Sequence, residues 1–72
     1  MKDIVREKMT KILLGELTYT SSNLALNMLI TKMQKKILDD PSNMDACMDE
    51  IEQFAAKSPI IAKVDFSNIA KL

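Results

Sequence analysis

The sequence predicts an all-α fold: a small bundle of three main helices, with a tight helical hairpin at residues 39–43 and a short C-terminal helical element. Three observations carry this. The 72 residues include one glycine, two prolines, one tyrosine and two phenylalanines, and they are rich in the Leu, Met, Ala, Lys and Glu that favour helices. Apolar residues recur at three- and four-residue steps through most of the chain. Short clusters of hydroxyl, Asn, Asp and Pro residues break those runs at 18–23, at 39–43 and at Ser58-Pro59.

The first element is expected from Asp3 to about Glu16. Val5, Met9, Ile12, Leu13 and Leu17 share one face, and the acids Asp3 and Glu7 sit in the first turns, where the helix dipole favours them. Gly15 is a candidate C-cap, while the apolar stripe runs on to Leu17 and leaves the end open. The hydroxyl-rich "TYTSSN" that follows supplies N-cap residues for the next element.

The second element is expected over Leu24 to Leu38. Its first half is apolar nearly all round (Leu24, Ala25, Leu26, Met28, Leu29, Ile30) and its second half narrows to Met33 and Ile37 between lysines. A helix apolar on every side is buried on every side, so this half is expected to need more cover than one neighbour provides.

At "DDPSN" the helix must stop, because proline disfavours the helical conformation in Asp40 while suiting a first helical turn itself. Two caps fit: Asp40 with Pro41 at the first position, or Ser42 with Asp45 three residues on. Either makes an antiparallel hairpin. The third element, Met44 to about Lys57, carries Met44, Cys47, Met48, Ile51, Phe54 and Ala55 as a regular stripe. Between the second and third elements the expected apolar seam is Met28, Met33, Ile37, Met44, Met48, Ile51 and Phe54, with Ile51 and Phe54 at its centre. The remainder, "SPIIAKVDFSNIAKL", has a cap-like Ser58 before Pro59, β-branched residues that also suit an extended run, and Asp65 as a candidate cap for a last turn. We read it as helical.

A chain of this length forms one domain, residues 1–72, and a core of that size supplies only ~3–5 kcal/mol unless something helps. One cysteine excludes an intrachain disulfide, and there is no histidine. One thiol without a second soft ligand makes no zinc site, so no metal and no cofactor is expected. Self-association or a protein partner is the expected further source of stability, and a well-packed monomeric bundle is the alternative. A lone thiol fits the reducing cytoplasm. The N-terminal residues lack the apolar core of a signal peptide, and no apolar run approaches the ~20 residues of a membrane span. Ten basic and ten acidic residues cancel, which makes nucleic acid an unexpected partner.

The charges are not evenly spread. Between Asp39 and Glu52 lie six acids and no base, after the lysines Lys32, Lys35 and Lys36. Asp45, Asp49 and Glu52 fall at i, i+4 and i+7, on one helical face. Folding back at Pro41 would set Lys36 level with Asp45 and Lys32 level with Asp49, so the expected interaction surface is Lys32, Lys35, Lys36, Asp45, Asp49 and Glu52. It would serve within the hairpin, across a dimer or toward a basic partner; the alternative is an acidic face that is merely solvated. The spacing lacks the alternating ligands and central glycine of a calcium loop. Six methionines, five on or beside apolar stripes, suit both core filling and adaptable contact surfaces. Cys47 lies on the apolar stripe and reads as a buried structural thiol.

Catalysis finds no support in the residues: there is no histidine, no Gly-rich loop and no Ser–base pairing. A helix-turn-helix DNA reader is the alternative, since short helices joined by tight turns dominate. Its recognition helix would open on Asp45, Asp49 and Glu50, which phosphates repel. The turn Pro41-Ser42-Asn43 between two helices, with Gly15-Glu16-Leu17 upstream, resembles the hairpin of type III secretion needle subunits. Met44 stands where that family commonly has a second proline. The resemblance implies a small helical assembly subunit. The expected function is non-enzymatic protein–protein interaction, as an adaptor, small chaperone or assembly subunit.

Overall fold

The apolar stripe beginning at Val5 winds into α1, Asp3–Leu13. The computed structural model describes residues 2–72. α1 ends three residues before the expected Glu16, because Gly15 takes φ +80°, a conformation that glycine adopts without steric cost. The Glu16 N–H then donates to the Lys11 carbonyl at 2.8 Å and the Gly15 N–H to that of Ile12 at 3.0 Å. This is the Schellman pair of hydrogen bonds that satisfies the last carbonyls of a helix.

The following loop is ordered by its own polar groups. The Asn27 side chain accepts from the Ser21 N–H at 2.6 Å and donates to the Ser21 carbonyl at 2.7 Å. Asn23 caps α2, Leu24–Asp39, by accepting from the Ala25 N–H. At the next break Asp40 is the cap: its carboxylate accepts from the Ser42 N–H and hydroxyl, at 3.1 and 2.8 Å, and these bonds hold its carboxyl below the usual carboxylate range. The alternative Ser42–Asp45 box does not form. A single 3₁₀ turn, Pro41–Asn43, leads straight into α3, Met44–Lys57. α3 doubles back along α2. Asn43 donates to the Lys36 carbonyl at 3.3 Å, Cys47 Sγ lies 4.0 Å from the Met33 carbonyl, and Leu29 shares a groove with Phe54.

The last stretch is not a short element. It is a fourth full helix, α4, Pro59–Ala70, with proline in the first turn where its missing N–H costs nothing. Its β-branched residues therefore run helical, and Asp65 sits mid-helix and not at a cap. α1 packs on α4 and α2 on α3, while α4 also packs on α3; α2 and α4 do not touch. α2 and α4 thus both pack on α3 without meeting each other.

Twelve residues make the core: Val5, Met9, Ile12 and Leu13 from α1, Leu26, Ile30, Met33 and Ile37 from α2, Cys47, Met48 and Ile51 from α3, and Ile69 from α4. Burying a side chain of this size gains about 1.5–3 kcal/mol. α4 gives the least, with Ala62 as its other buried apolar residue. Three expectations need correcting. The first half of α2 is buried on one face only, leaving Leu24 72% and Met28 65% exposed, so Met28 leaves the expected seam. Phe54 packs at the edge of the core, half-buried, and is not the seam's centre; Met44 is likewise half-buried. Ile51 is fully buried.

Candidate interaction surface

The charge switch between α2 and α3 does not close on itself as its spacing suggests. Lys36, half-buried, has its ammonium 3.6 Å from the Glu50 carboxylate. Glu52, also half-buried, receives a 2.6 Å hydrogen bond from Arg6 of α1. Lys32, Lys35, Asp45 and Asp49 are exposed and form no ion pair among the described residues. The expected Lys32–Asp49 and Lys36–Asp45 pairs are therefore absent, and helical geometry gives the reason. At 3.6 residues per turn, Asp45 and Asp49 share a face with Glu52. Glu52 looks toward α1, whereas Glu50 is the acid that looks toward α2. The acidic stripe is on the flank of α3 away from the lysines of α2.

A feature the sequence reading missed is the orientation of α4. Its outward face carries Ile60, 81% exposed, Ile61, 50%, and Val64, 56%. These fall at i, i+1 and i+4, within about one quadrant of the helix. Its inward face carries Ala62 and Ile69 together with Asp65, which is 1% exposed. The helix thus buries an acid and exposes three β-branched aliphatic residues. A buried Asp in "KVDFSN" has one visible signal, its position among Val64, Phe66 and Ile69, and that signal reads equally well as a cap.

Asp65 ties α4 to the α1–α2 loop. The Tyr19 hydroxyl donates to the Asp65 carbonyl at 3.1 Å, and lies 3.5 Å from Oδ1; Ser22 Oγ donates to Oδ1 at 3.3 Å. Oδ2 is buried and has no partner. Partial burial and the neighbouring Asp65 carboxylate push the Tyr19 phenol above its ordinary value. At the far end of α4, Lys8 Nζ donates to the Ala70 carbonyl at 2.8 Å. Burial likewise raises the Cys47 thiol, only partly offset by Lys36. That makes it a weak nucleophile.

Two other apolar features lie at the surface. Leu14 and Leu38, both exposed, border an open groove of about 460 Å³ floored by Leu13 and Ile37, with Gly15, Gln34 and Pro41 completing it. Leu24 and Met28 stand outward on α2. Among the described residues no three His, Cys, Asp or Glu side chains gather as metal ligands, and no helix is long and apolar enough to cross a membrane. Compared with protein-family models, curated proteins and solved structures, the chain matches none.

Proposed function

We propose that this chain is a non-enzymatic protein–protein interaction module of the reducing cytoplasm, an adaptor, small chaperone or assembly subunit, and that the outward face of α4 is its main contact. The observation that carries this reading is the inversion of α4. A carboxylate inside and three aliphatic residues outside is a poor arrangement for an isolated helix, and a good one when a partner covers the outer face. Contiguous exposed apolar residues rimmed by charge mark contact sites. The fourfold arrangement also supports it: α4 gives the core little, so its apolar content is available for something else.

A photo-crosslinking residue at Ile60 tests the reading in the native host, with the same probe at the exposed Lys35 of α2 as control. Discrete protein adducts at position 60 and few at position 35 are expected. Equal yields at both positions would remove α4 as the contact. The DNA-reading alternative has less in its favour, since the exposed Asp45 and Asp49 line α3 and would face phosphates. Retention of the protein on heparin at low salt would favour it.

A further inference from the structure

We infer that two copies of this chain pair through α3 and α4, each α4 lying across the α3 of the other copy. The inference rests on the interaction reading above and names the occupant of the α4 face. The exposed charges on α4 and at its C-cap are both basic, Lys63 and Lys71, because the one acid of α4, Asp65, is buried. On α3, before its last turn, the exposed charges are all acidic, and Asp45 and Asp49 have no ion partner among the described residues. Placing α4 on α4 would oppose lysines. Placing α3 on α3 would oppose carboxylates. Of the pairings of these two helices, α4 on α3 of the second copy alone sets opposite charges together, and unpaired like charges exclude wrong pairings more than matched ones add affinity.

The positions of the two patches make the contact self-complementary. Asp45 and Asp49 lie on the face of α3 turned away from Glu50 and so from the lysines of α2, and α4 packs on α3 and not on α2. A two-fold axis between the adjacent α3 and α4 therefore generates the α4–α3 contact twice, as an isologous interface requires. α2 offers a rival basic and apolar face, Leu24 and Met28 beside Lys32 and Lys35, but the acidic stripe is turned away from it. Ile60, Ile61 and Val64 would form the dry centre, with the charges at the rim. A standard interface of ~800 Å² per partner would take about one-sixth of the 4746 Å² surface of the chain. The zero net charge leaves no overall repulsion between copies.

Charge-reversed variants test the arrangement by complementation. Variant one carries Lys63→Glu and Lys71→Glu; variant two carries Asp45→Lys and Asp49→Lys. All four positions are exposed, and circular dichroism checks that helicity is kept. Sedimentation velocity over a wide dilution series reads the wild-type dimer, and native mass spectrometry separates the species in mixtures. Each variant alone should dimerise at least about tenfold more weakly, more so at low salt. An equimolar mixture should form the heterodimer with near-wild-type affinity, since both of its α4–α3 contacts are again opposite in sign. Val64→Arg, which leaves these charges alone, should also abolish the dimer, and it decides the matter if a reversed variant fails to fold. A wild-type dimer insensitive to Val64→Arg, or variants that weaken pairing without complementing each other, would overturn the inference. Monomeric wild-type chain at every concentration overturns it too. In that case discrete crosslinks from Ile60 to a different protein would leave the interaction reading standing, and their absence would end both.

Discussion

Replacing Asp65 by asparagine should stabilise this protein. Asp65 is fully enclosed, its Oδ2 meets no donor, and its Oδ1 is held only by two long contacts, 3.3 Å to Ser22 and 3.5 Å to Tyr19. A buried polar group without a partner costs about 1–3 kcal/mol, and more when it carries charge. Asparagine has nearly the same volume and keeps one oxygen for the two hydroxyls. Tyr19 also keeps its better bond, 3.1 Å to the backbone carbonyl, which the substitution does not touch. The amide nitrogen inherits the unpartnered position, so the gain is the difference between an orphaned charge and an orphaned neutral group, about 1–2 kcal/mol. Charge-assisted hydrogen bonds are roughly twice as strong as neutral ones, but at these distances little is lost. Of a total stability of ~5–15 kcal/mol, the change is easily read as a higher urea midpoint at pH 7 with an unchanged slope. Asp65→Ala, which deletes the hydroxyl acceptor and opens a void, should be less stable than Asp65→Asn. A loss of about 1 kcal/mol or more in the asparagine variant would refute the reasoning, because it would mean that Oδ2 finds a donor in solution.

Three further outcomes follow from the geometry. Ile51→Ala, at the centre of the core, should cost ~2–5 kcal/mol, and Phe54→Ala, half-buried at the core's edge, clearly less; equal losses in urea unfolding would contradict the packing. Gly15→Ala places a side chain at φ +80°, and although nothing crowds the site it should lose about 1 kcal/mol or more by thermal melting, whereas an unchanged melting temperature would show that the α1 end relaxes freely. Tyr19 is the one tyrosine, so its phenolate absorbance reports it alone and should titrate above the ordinary 10.0. A phenol whose pKa is raised by folding contributes stability below its unfolded pKa and loses it as pH rises through the folded value. The wild type should therefore lose more stability than Tyr19→Phe above about pH 10, and parallel curves would place Tyr19 in solvent.

The sequence was most legible where local chemistry and tertiary packing agree. The heptad-like spacing of Met44, Cys47, Met48 and Ile51 marks a face of which Cys47, Met48 and Ile51 are buried in the fold and Met44 is half-buried. "DDPSN" contains its own stop and cap, and Asp40 and Pro41 occupy those roles. The failures have separable causes. Leu24, Ala25, Leu26, Met28, Leu29 and Ile30 announce burial on every side, but only residues near one generatrix of the helix reach the core. Periodicity locates a buried face when polar residues delimit it, and between Leu24 and Ile30 only Asn27 does. The hairpin charge pairing failed by rotation about the α3 axis: Asp45, Asp49 and Glu52 do share a face, as their spacing requires, yet that face turns from the lysines of α2, and of the three only Glu52 finds a partner among the described residues, Arg6 of α1. Spacing fixes which residues travel together, and only packing fixes where they point. For α4, "PIIAKVDFSNIA" has no helical periodicity at all, and the chain settles its orientation through contacts that lie far away in sequence, from Tyr19 and Ser22.

That last conflict bears on function more than the others. In a sequence whose local and global preferences agree, the apolar residues of a terminal helix face its neighbours. α4 departs from this at two levels, although Ala62 and Ile69 do face inward. Its inner face accepts a carboxylate with one oxygen unsatisfied, and its outer face presents two isoleucines and a valine between lysines. Neither choice stabilises the isolated chain, and the two have different remedies. The orphaned carboxylate is relieved by a single substitution to asparagine. The exposed aliphatic residues are relieved only by cover. If both defects were incidental, Asp65→Asn and Val64→Arg would act on stability alone and leave self-association untouched. The α4–α3 arrangement requires Val64→Arg to act on association with little change in the unfolding of the monomer, while Asp65→Asn raises monomer stability and leaves the outer face in place to pair. Stability and association measured on the same two variants therefore separate a helix that is merely badly packed from one whose outer face is built for a second chain.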